Sequence, residues 1–182
     1  HSRTDFDLSQ HQKVSGKKVQ YYDAELNESY VPYVIETSIG LDRMFLSVLS
    51  ASYSEEMAPT ADGKEEQRTV MRIPPALAPV KAAVLPLTRK DGLPDIARSI
   101  IAALKYDFNC YYEEKDSIGR RYRRQDAIGT PFCITVDHQT KEDETVTLRH
   151  RDTMEQERVK IASLNKIVGE KVSMKKLLKN LE

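Results

Sequence analysis

The chain has 182 residues, with 28 Lys+Arg balanced by 28 Asp+Glu, and 40% of its residues are apolar. That length suits one ordinary domain, or one domain with a smaller piece. A neutral chain has no overall field to draw in a polyanion, so any nucleic-acid contact must come from a local patch. No apolar run approaches the ~18 residues of a membrane-spanning helix, and the start does not read as a signal peptide. Cys110 and Cys133 each sit in an apolar, strand-like run. They read as reduced, buried thiols of a cytoplasmic protein and not as a disulfide or metal site. His1, His11, His138 and His150 show no ligand spacing, so no metal site is expected.

Residues 1–32 are polar. A helical turn or two is expected over 5–11, and a short strand at 19–22 should close a hairpin with the stretch after Asn27-Glu28-Ser29. The chain opens at His1 without a methionine and reads as a piece of a longer protein. Residues 33–53 form a strand, a tight turn at Gly40 and a helix. Leu41, Phe45, Leu46, Val48 and Leu49 recur at helical spacing and predict a buried face. Glu36 and Ser38 are two apart on the strand, so strand alternation puts them on one side, and Arg43 lies in the first helical turn. Two readings fit this trio. One is a site in which a carboxylate takes an ammonium and an arginine beside a helix N-terminus takes a phosphate. The other is an internal Glu36–Arg43 ion pair with Ser38 as a cap.

Residues 54–76 read as an acidic, Pro- and Gly-containing linker or mobile loop, passing at residue 70 into an extended lead-in stiffened by Pro74, Pro75 and Pro79. Beyond it the rhythm is α/β. A strand is expected at 80–87, an amphipathic helix at 93–107 with Pro94 in its first turn, a strand at 109–112 and a helix at 117–128. A strand at 132–136, a turn at 139–143, a strand at 145–149 and a helix over 161–181, broken near Gly169, complete the series. The predicted fold is a three-layer α/β domain on a mixed, mostly parallel sheet of about five strands. No phosphate-cradling glycine motif and no nucleophile–base set is present.

The helix at 117–128 carries Arg120, Arg121, Arg123 and Arg124, with Tyr122 between them. Four like charges this close are easiest to sustain where an anion neutralises them, and a polyphosphate such as RNA is one such anion. A solvated helix face balanced by Glu113, Glu114, Asp116 and Asp126 is the other reading.

Two stretches together carry a resemblance. Tyr33-Val34-Ile35-Glu36-Thr37-Ser38-Ile39-Gly40-Leu41-Asp42-Arg43 is similar to motif 3 of glycyl-tRNA synthetase, the dimeric class II type. Leu77-Ala78-Pro79-Val80-Lys81, Lys90-Asp91-Gly92-Leu93, the run from Ser117 to Asp126, Gly129-Thr130-Pro131-Phe132 and Arg151-Asp152-Thr153-Met154-Glu155-Gln156 resemble the anticodon-binding domain of that family. The resemblance implies a remnant of the catalytic domain, an antiparallel sheet fragment with motif 3, over 1–53, and the anticodon-binding domain over 77–182. It gives Arg43 the ATP γ-phosphate as the catalytic arginine, Glu36 and Ser38 the substrate glycine, and Glu36, Gly40 and Arg43 the ATP site. Arg120, Arg121, Tyr122, Arg123 and Arg124 become tRNA contacts, with Tyr122 either stacking on a base or packing inward.

The implied chemistry joins glycine to tRNA-Gly through glycyl-adenylate, with ATP and Mg²⁺ and a homodimeric enzyme, in the cytoplasm and without a membrane. Motifs 1 and 2 of the family fall before residue 1. The stretch is therefore expected to bind no ATP or Mg²⁺ of its own and to be inactive alone. The alternatives are a prolyl, threonyl or histidyl synthetase of the same class, or a non-catalytic nucleic-acid-binding module that reuses the fold.

Overall fold

The structure is a computed structural model that describes residues 1–59 and 63–179. The chain divides into two compact units, His1–Leu46 and Ser47–Glu182.

In the first unit β1 (Ser2–Thr4) is followed by α1 (Phe6–Ser15), which ends at Gly16 in a left-handed conformation. A hairpin of β2 (Tyr21–Asp23) and β3 (Glu28–Tyr30) follows, then β4 (Val34–Ile35), which pairs antiparallel with β1. The division between the units falls within α2 (Leu41–Ser52). No residue from 1 to 46 is fully buried. The apolar helix face expected from Leu41, Phe45 and Leu46 is therefore present but uncovered, with Leu41 82% exposed. Strand pairs of two and three residues are too small to cover a helix.

The second unit opens with a correction. Residues expected to be a linker form an antiparallel hairpin, β5 (Tyr53–Pro59) with β6 (Glu65–Met71), in register from Tyr53↔Met71 to Pro59↔Glu65. Ala58, Arg68 and Val70 are buried. Residues 60–62 lie outside the described residues. The sheet and helices follow: β7 (Ala82–Pro86), α3 (Leu93–Leu104), β8 (Cys110–Tyr112), α4 (Ile118–Ile128), β9 (Phe132–Val136), α5 (Thr140–Asp143), β10 (Thr145–His150) and β11 (Gln156–Lys160). A 3-10 turn (Ile161–Ser163) leads into α6 (Leu164–Val172) and α7 (Met174–Lys179). The expected hairpin turn at 139–143 is thus a single helical turn, and the last helix breaks at Ser173, where the backbone is extended, not at Gly169. Its final expected residues lie outside those described.

The sheet order is β11-β10-β9-β7-β8. β7 is parallel to both β8 and β9, while β10 runs antiparallel to β9 and β11. Four strands therefore point one way and β10 the other, the mostly parallel five-stranded sheet expected. Strands β7 and β9 are buried along their whole length, as the central strands of a sheet covered on both faces must be. One face packs its core against α3 and α6, through Val84, Ile134, Leu148, Ile100, Leu104 and Val168. On the other face Ala83, Leu85 and Cys133 meet Ile118 and Tyr122 of α4, and α4 also lies against β6. Both thiols are free, and burial pushes Cys133 up to about 12 and Cys110 up to about 11.

Helix α4 ends in a tight reversal. Gly129 has φ 84°, its N–H donates to Asp126 O at 3.2 Å, and the Thr130 N–H donates to Gln125 O at 3.0 Å. A Cβ on Gly129 would stand 3.1 Å from Met71 O and 3.0 Å from Ile73 Cδ1. The glycine both supplies the left-handed turn and lets the hairpin's second strand approach the helix end. Gly129→Ala is expected to lower stability by about 1–3 kcal/mol in urea unfolding. A loss under about 0.5 kcal/mol would show that the strand and the helix end yield freely.

Candidate nucleic-acid interface

Helical spacing divides α4 into two faces. Ile118, Arg121, Tyr122, Gln125 and Asp126 recur at three- and four-residue intervals and turn inward, while Arg120 and Ala127 lie on the exposed side and Arg123 and Arg124 flank it, half-buried. The inward face is largely polar, and its buried side-chain groups are hydrogen-bonded except Arg121 Nε, which has no partner among the described residues.

Arg121 is 1% exposed. Its Nη1 donates to Pro86 O at 2.7 Å and Glu113 O at 3.1 Å, and its Nη2 donates to Leu87 O at 3.3 Å. These carbonyls lie at or just past the carboxyl ends of β7 and β8, so Arg121 clamps the strand ends from within. Burial presses its pKa downward, yet a guanidinium keeps its proton at any ordinary pH. Tyr122 also points in. Its hydroxyl lies 2.6 Å from Thr135 Oγ1, and the Arg149 guanidinium lies 4.7 Å above its ring. One residue expected to touch tRNA is therefore corrected, since Arg121 is enclosed; of the two expectations for Tyr122, the inward packing is the one seen, its hydroxyl and one ring face already engaged.

Asp126 is wholly buried between two arginines. Its Oδ2 accepts from Arg68 Nε at 2.9 Å and Arg149 Nη2 at 3.0 Å, and its Oδ1 accepts from Arg149 Nη1 at 2.8 Å. Arg68 also donates to Glu56 at 2.6 Å and to the Arg151 carbonyl. Arg151, buried in turn, donates to Ile73 O at 2.9 Å and Gly129 O at 2.8 Å. The hairpin, α4 and β10 are thus joined by one connected polar network.

The outward arginines differ. Arg124 donates to Glu113 at 2.6 Å and Asp116 at 2.9 Å, and its guanidinium holds the Asp116 carboxyl below the usual carboxylate range. Arg123 faces Glu66 at 4.0 Å. Arg120 is exposed and, among the described residues, makes no hydrogen bond or ion pair.

These side chains border an open groove of about 1290 Å³ between α4, the hairpin and one face of the sheet, lined among others by Gln67, Arg120, Arg123, Thr135, Thr147, Arg149 and Gln156. The strand pattern explains why this part of the sheet is polar. Along β10, Val146 and Leu148 enter the core, so Thr145, Thr147 and Arg149 take the opposite face. Register adds Thr135 on β9, and Arg158 and Gln156 on β11, to the same face. Arg158 donates to Thr145 Oγ1 at 2.7 Å and Asp137 Oδ2 at 2.6 Å. Sequence reasoning missed Arg68, Thr135, Thr147, Arg149, Gln156 and Arg158. The alternation at 145–149 is the one signal that could have exposed two of them, Thr147 and Arg149.

Glu36, Ser38, Gly40 and Arg43 lie in the first unit and are all exposed. Strand β4 ends at Ile35, so strand alternation does not align Glu36 with Ser38 as expected. The Arg43 side chain folds back to within 3.9 Å of where a Cβ on Gly40 would stand. The described residues contain no group of three or more His, Cys, Asp or Glu that could hold a metal ion, and no helix among them is long and apolar enough to cross a membrane.

Residues 81–171 match the family described as Anticodon binding domain. The chain belongs to that family. Its anticodon-binding domain, so matched, spans the whole sheet from β7 to β11 and reaches into α6. The chain is also 51% identical over 172 residues to the glycine–tRNA ligase of Thermobifida fusca, covering 94% of this chain and 37% of the relative. It is 52% identical over 168 residues to that of Streptomyces coelicolor, 92% of this chain and 36% of the relative. It is 54% identical over 166 residues to that of Clostridium perfringens, 91% of this chain and 35% of the relative. The chain thus spans little more than a third of the length of these curated relatives.

Within the anticodon-binding domain, Asp126→Ala would leave two buried guanidinium groups without their carboxylate. The expected loss in urea unfolding is about 3–5 kcal/mol, and replacing Arg68, Asp126 and Arg149 together by apolar residues should recover much of it. A single-variant loss below about 1 kcal/mol would mean that the network does not hold these elements together.

Proposed function

We propose that the chain supplies the tRNA-reading part of a glycine–tRNA ligase, the anticodon loop lying in the groove between α4 and the polar face of β9, β10 and β11. The supporting observation is the combination of an anticodon-binding domain with an open surface of guanidinium, hydroxyl and amide groups. Unstacked bases of a single-stranded loop are read by hydrogen bonds to their edges and by planar groups, which this surface offers. In the proposal Arg120 and Arg123 meet the RNA directly. Arg124 presents whatever its two carboxylates leave free, and Arg121 and Tyr122 shape the support beneath.

The proposed enzyme is a cytoplasmic homodimer that joins glycine to tRNA-Gly in two steps. Glycine's carboxylate attacks the ATP α-phosphate, expelling pyrophosphate to give glycyl-adenylate, and the glycyl group then passes to a hydroxyl at the 3′ end of the tRNA with release of AMP. Glu36 and Ser38 would hold glycine, Glu36 accepting hydrogen bonds from its ammonium. Arg43, beside Gly40, would neutralise ATP phosphates. The described residues do not by themselves provide a cluster of carboxylates that would hold Mg²⁺. All four pocket residues are exposed, and the proposal assigns the rest of the pocket to parts of the relatives outside the aligned segment.

Two measurements test this reading. Joint Arg120→Gln and Arg123→Gln substitution should weaken binding of tRNA-Gly by roughly tenfold, while the variant melts close to the parent's temperature because Arg120 is exposed and the half-buried Arg123 makes only a loose contact to Glu66 at 4.0 Å. Unchanged affinity would refute the placement. The chain alone should give no glycine-dependent exchange of pyrophosphate into ATP. Measurable exchange would show that the activating pocket is complete within these residues.

A further inference from the structure

Arginines on a nucleic-acid surface are ordinarily expected to supply charge. Here the rim of the groove carries a carboxylate for nearly every arginine. Glu66 stands 4.0 Å from Arg123, Glu113 and Asp116 hold Arg124 at 2.6 and 2.9 Å, and Asp137 holds Arg158 at 2.6 Å. Beneath them Asp126 and Glu56 engage Arg68, and Asp126 also engages Arg149. Arg120 remains the one groove arginine with no such partner among the described residues. A phosphate that displaces one of these carboxylates leaves it to recruit a cation from solution. That uptake cancels the counterion released from the RNA.

We infer that this groove is neutralised from within, so that it selects single-stranded RNA by hydrogen bonding and shape and rejects polyanions as such, with Glu66 as a specificity-determining residue. Glu66 suits that role for two reasons. It sits on the hairpin across the groove from α4, and its side chain is exposed, so it contributes little to the fold. The carboxylate keeps Arg123 from serving as a general phosphate site. RNA whose bases match the groove meets the cost of parting the pair through its other contacts. RNA that offers only phosphate cannot.

This inference rests on the proposed reading of tRNA and is tested apart from it. Binding of tRNA-Gly and of an unstructured polyuridine of similar length is measured for the whole chain across a series of salt concentrations. The parent should bind tRNA with a salt slope of about −1 to −2, where four or more unpaired phosphate contacts would give about −3 or steeper. Polyuridine should bind far more weakly. Glu66→Gln should tighten polyuridine binding several-fold and steepen its slope by roughly one contact, narrowing the ratio between the two RNAs. A parent slope of about −3 or steeper, or a Glu66→Gln variant that leaves polyuridine binding unchanged, overturns the inference while the tRNA reading stands. Failure to bind tRNA-Gly at every salt concentration overturns both.

Discussion

The second unit depends on Asp126. A carboxylate with no solvent contact is tolerable only where the surrounding donors replace its hydration. Here three guanidinium N–H groups do so, one from the hairpin and two from β10. The consequence is geometric. Strand β6, helix α4 and strand β10 come from distant parts of the chain, and one anion fixes their mutual positions. The two sides of the groove are set by that arrangement, with the Gly129 reversal allowing the hairpin to close against the helix end. Arg121 acts similarly at the other end of α4, where it takes up three carbonyls at or just past the strand ends.

Much of this fold was legible in the sequence, because hydrophobic periodicity reports burial. Strand β9 reads as a continuous apolar run and is buried end to end. Helix α3 shows its inward face through Ile96, Ile100 and Leu104, although Ala103, which the same spacing puts inward, is exposed and Ala97 is buried in its place. Alternation failed where the buried side chains are not apolar. The hairpin reads as a linker because Glu55, Glu56, Glu65 and Glu66 dominate its composition, and the long buried side chain that it turns toward α4 is an arginine. Strand β11, Gln-Glu-Arg-Val-Lys, has a single apolar residue and lies at the sheet edge, where half its backbone groups need no partner.

The site shows the same limit more sharply. Four arginines in a short helix look equivalent in a sequence, yet a turn of 3.6 residues sends them to different surroundings. Arg121 goes inside, Arg124 into two carboxylates, Arg123 toward the hairpin and Arg120 into solvent. Only helical phase combined with the positions of Glu113, Asp116 and Glu66 separates them, and those partners come from other elements. In the first unit the sequence pattern marks the helix, but the face it predicts to be buried is exposed at Leu41, Phe45 and Leu46. Periodicity predicts that a face is apolar and says nothing of whether a neighbour is there to cover it. The family relationship accounts for the sheet, whereas the internal pairing of charges is visible only in three dimensions.

The central claim is that RNA enters the groove between α4 and the polar face of the sheet, which Asp126 holds preformed. Amide hydrogen exchange of the chain with and without tRNA-Gly addresses it most directly. The account predicts added protection in the segments around Ser117–Arg124, Thr147–Arg149 and Gln156–Arg158, with little change in α3 or α6 on the opposite face. Protection confined to α3 and α6, or absent from the groove segments under saturating tRNA, would contradict it.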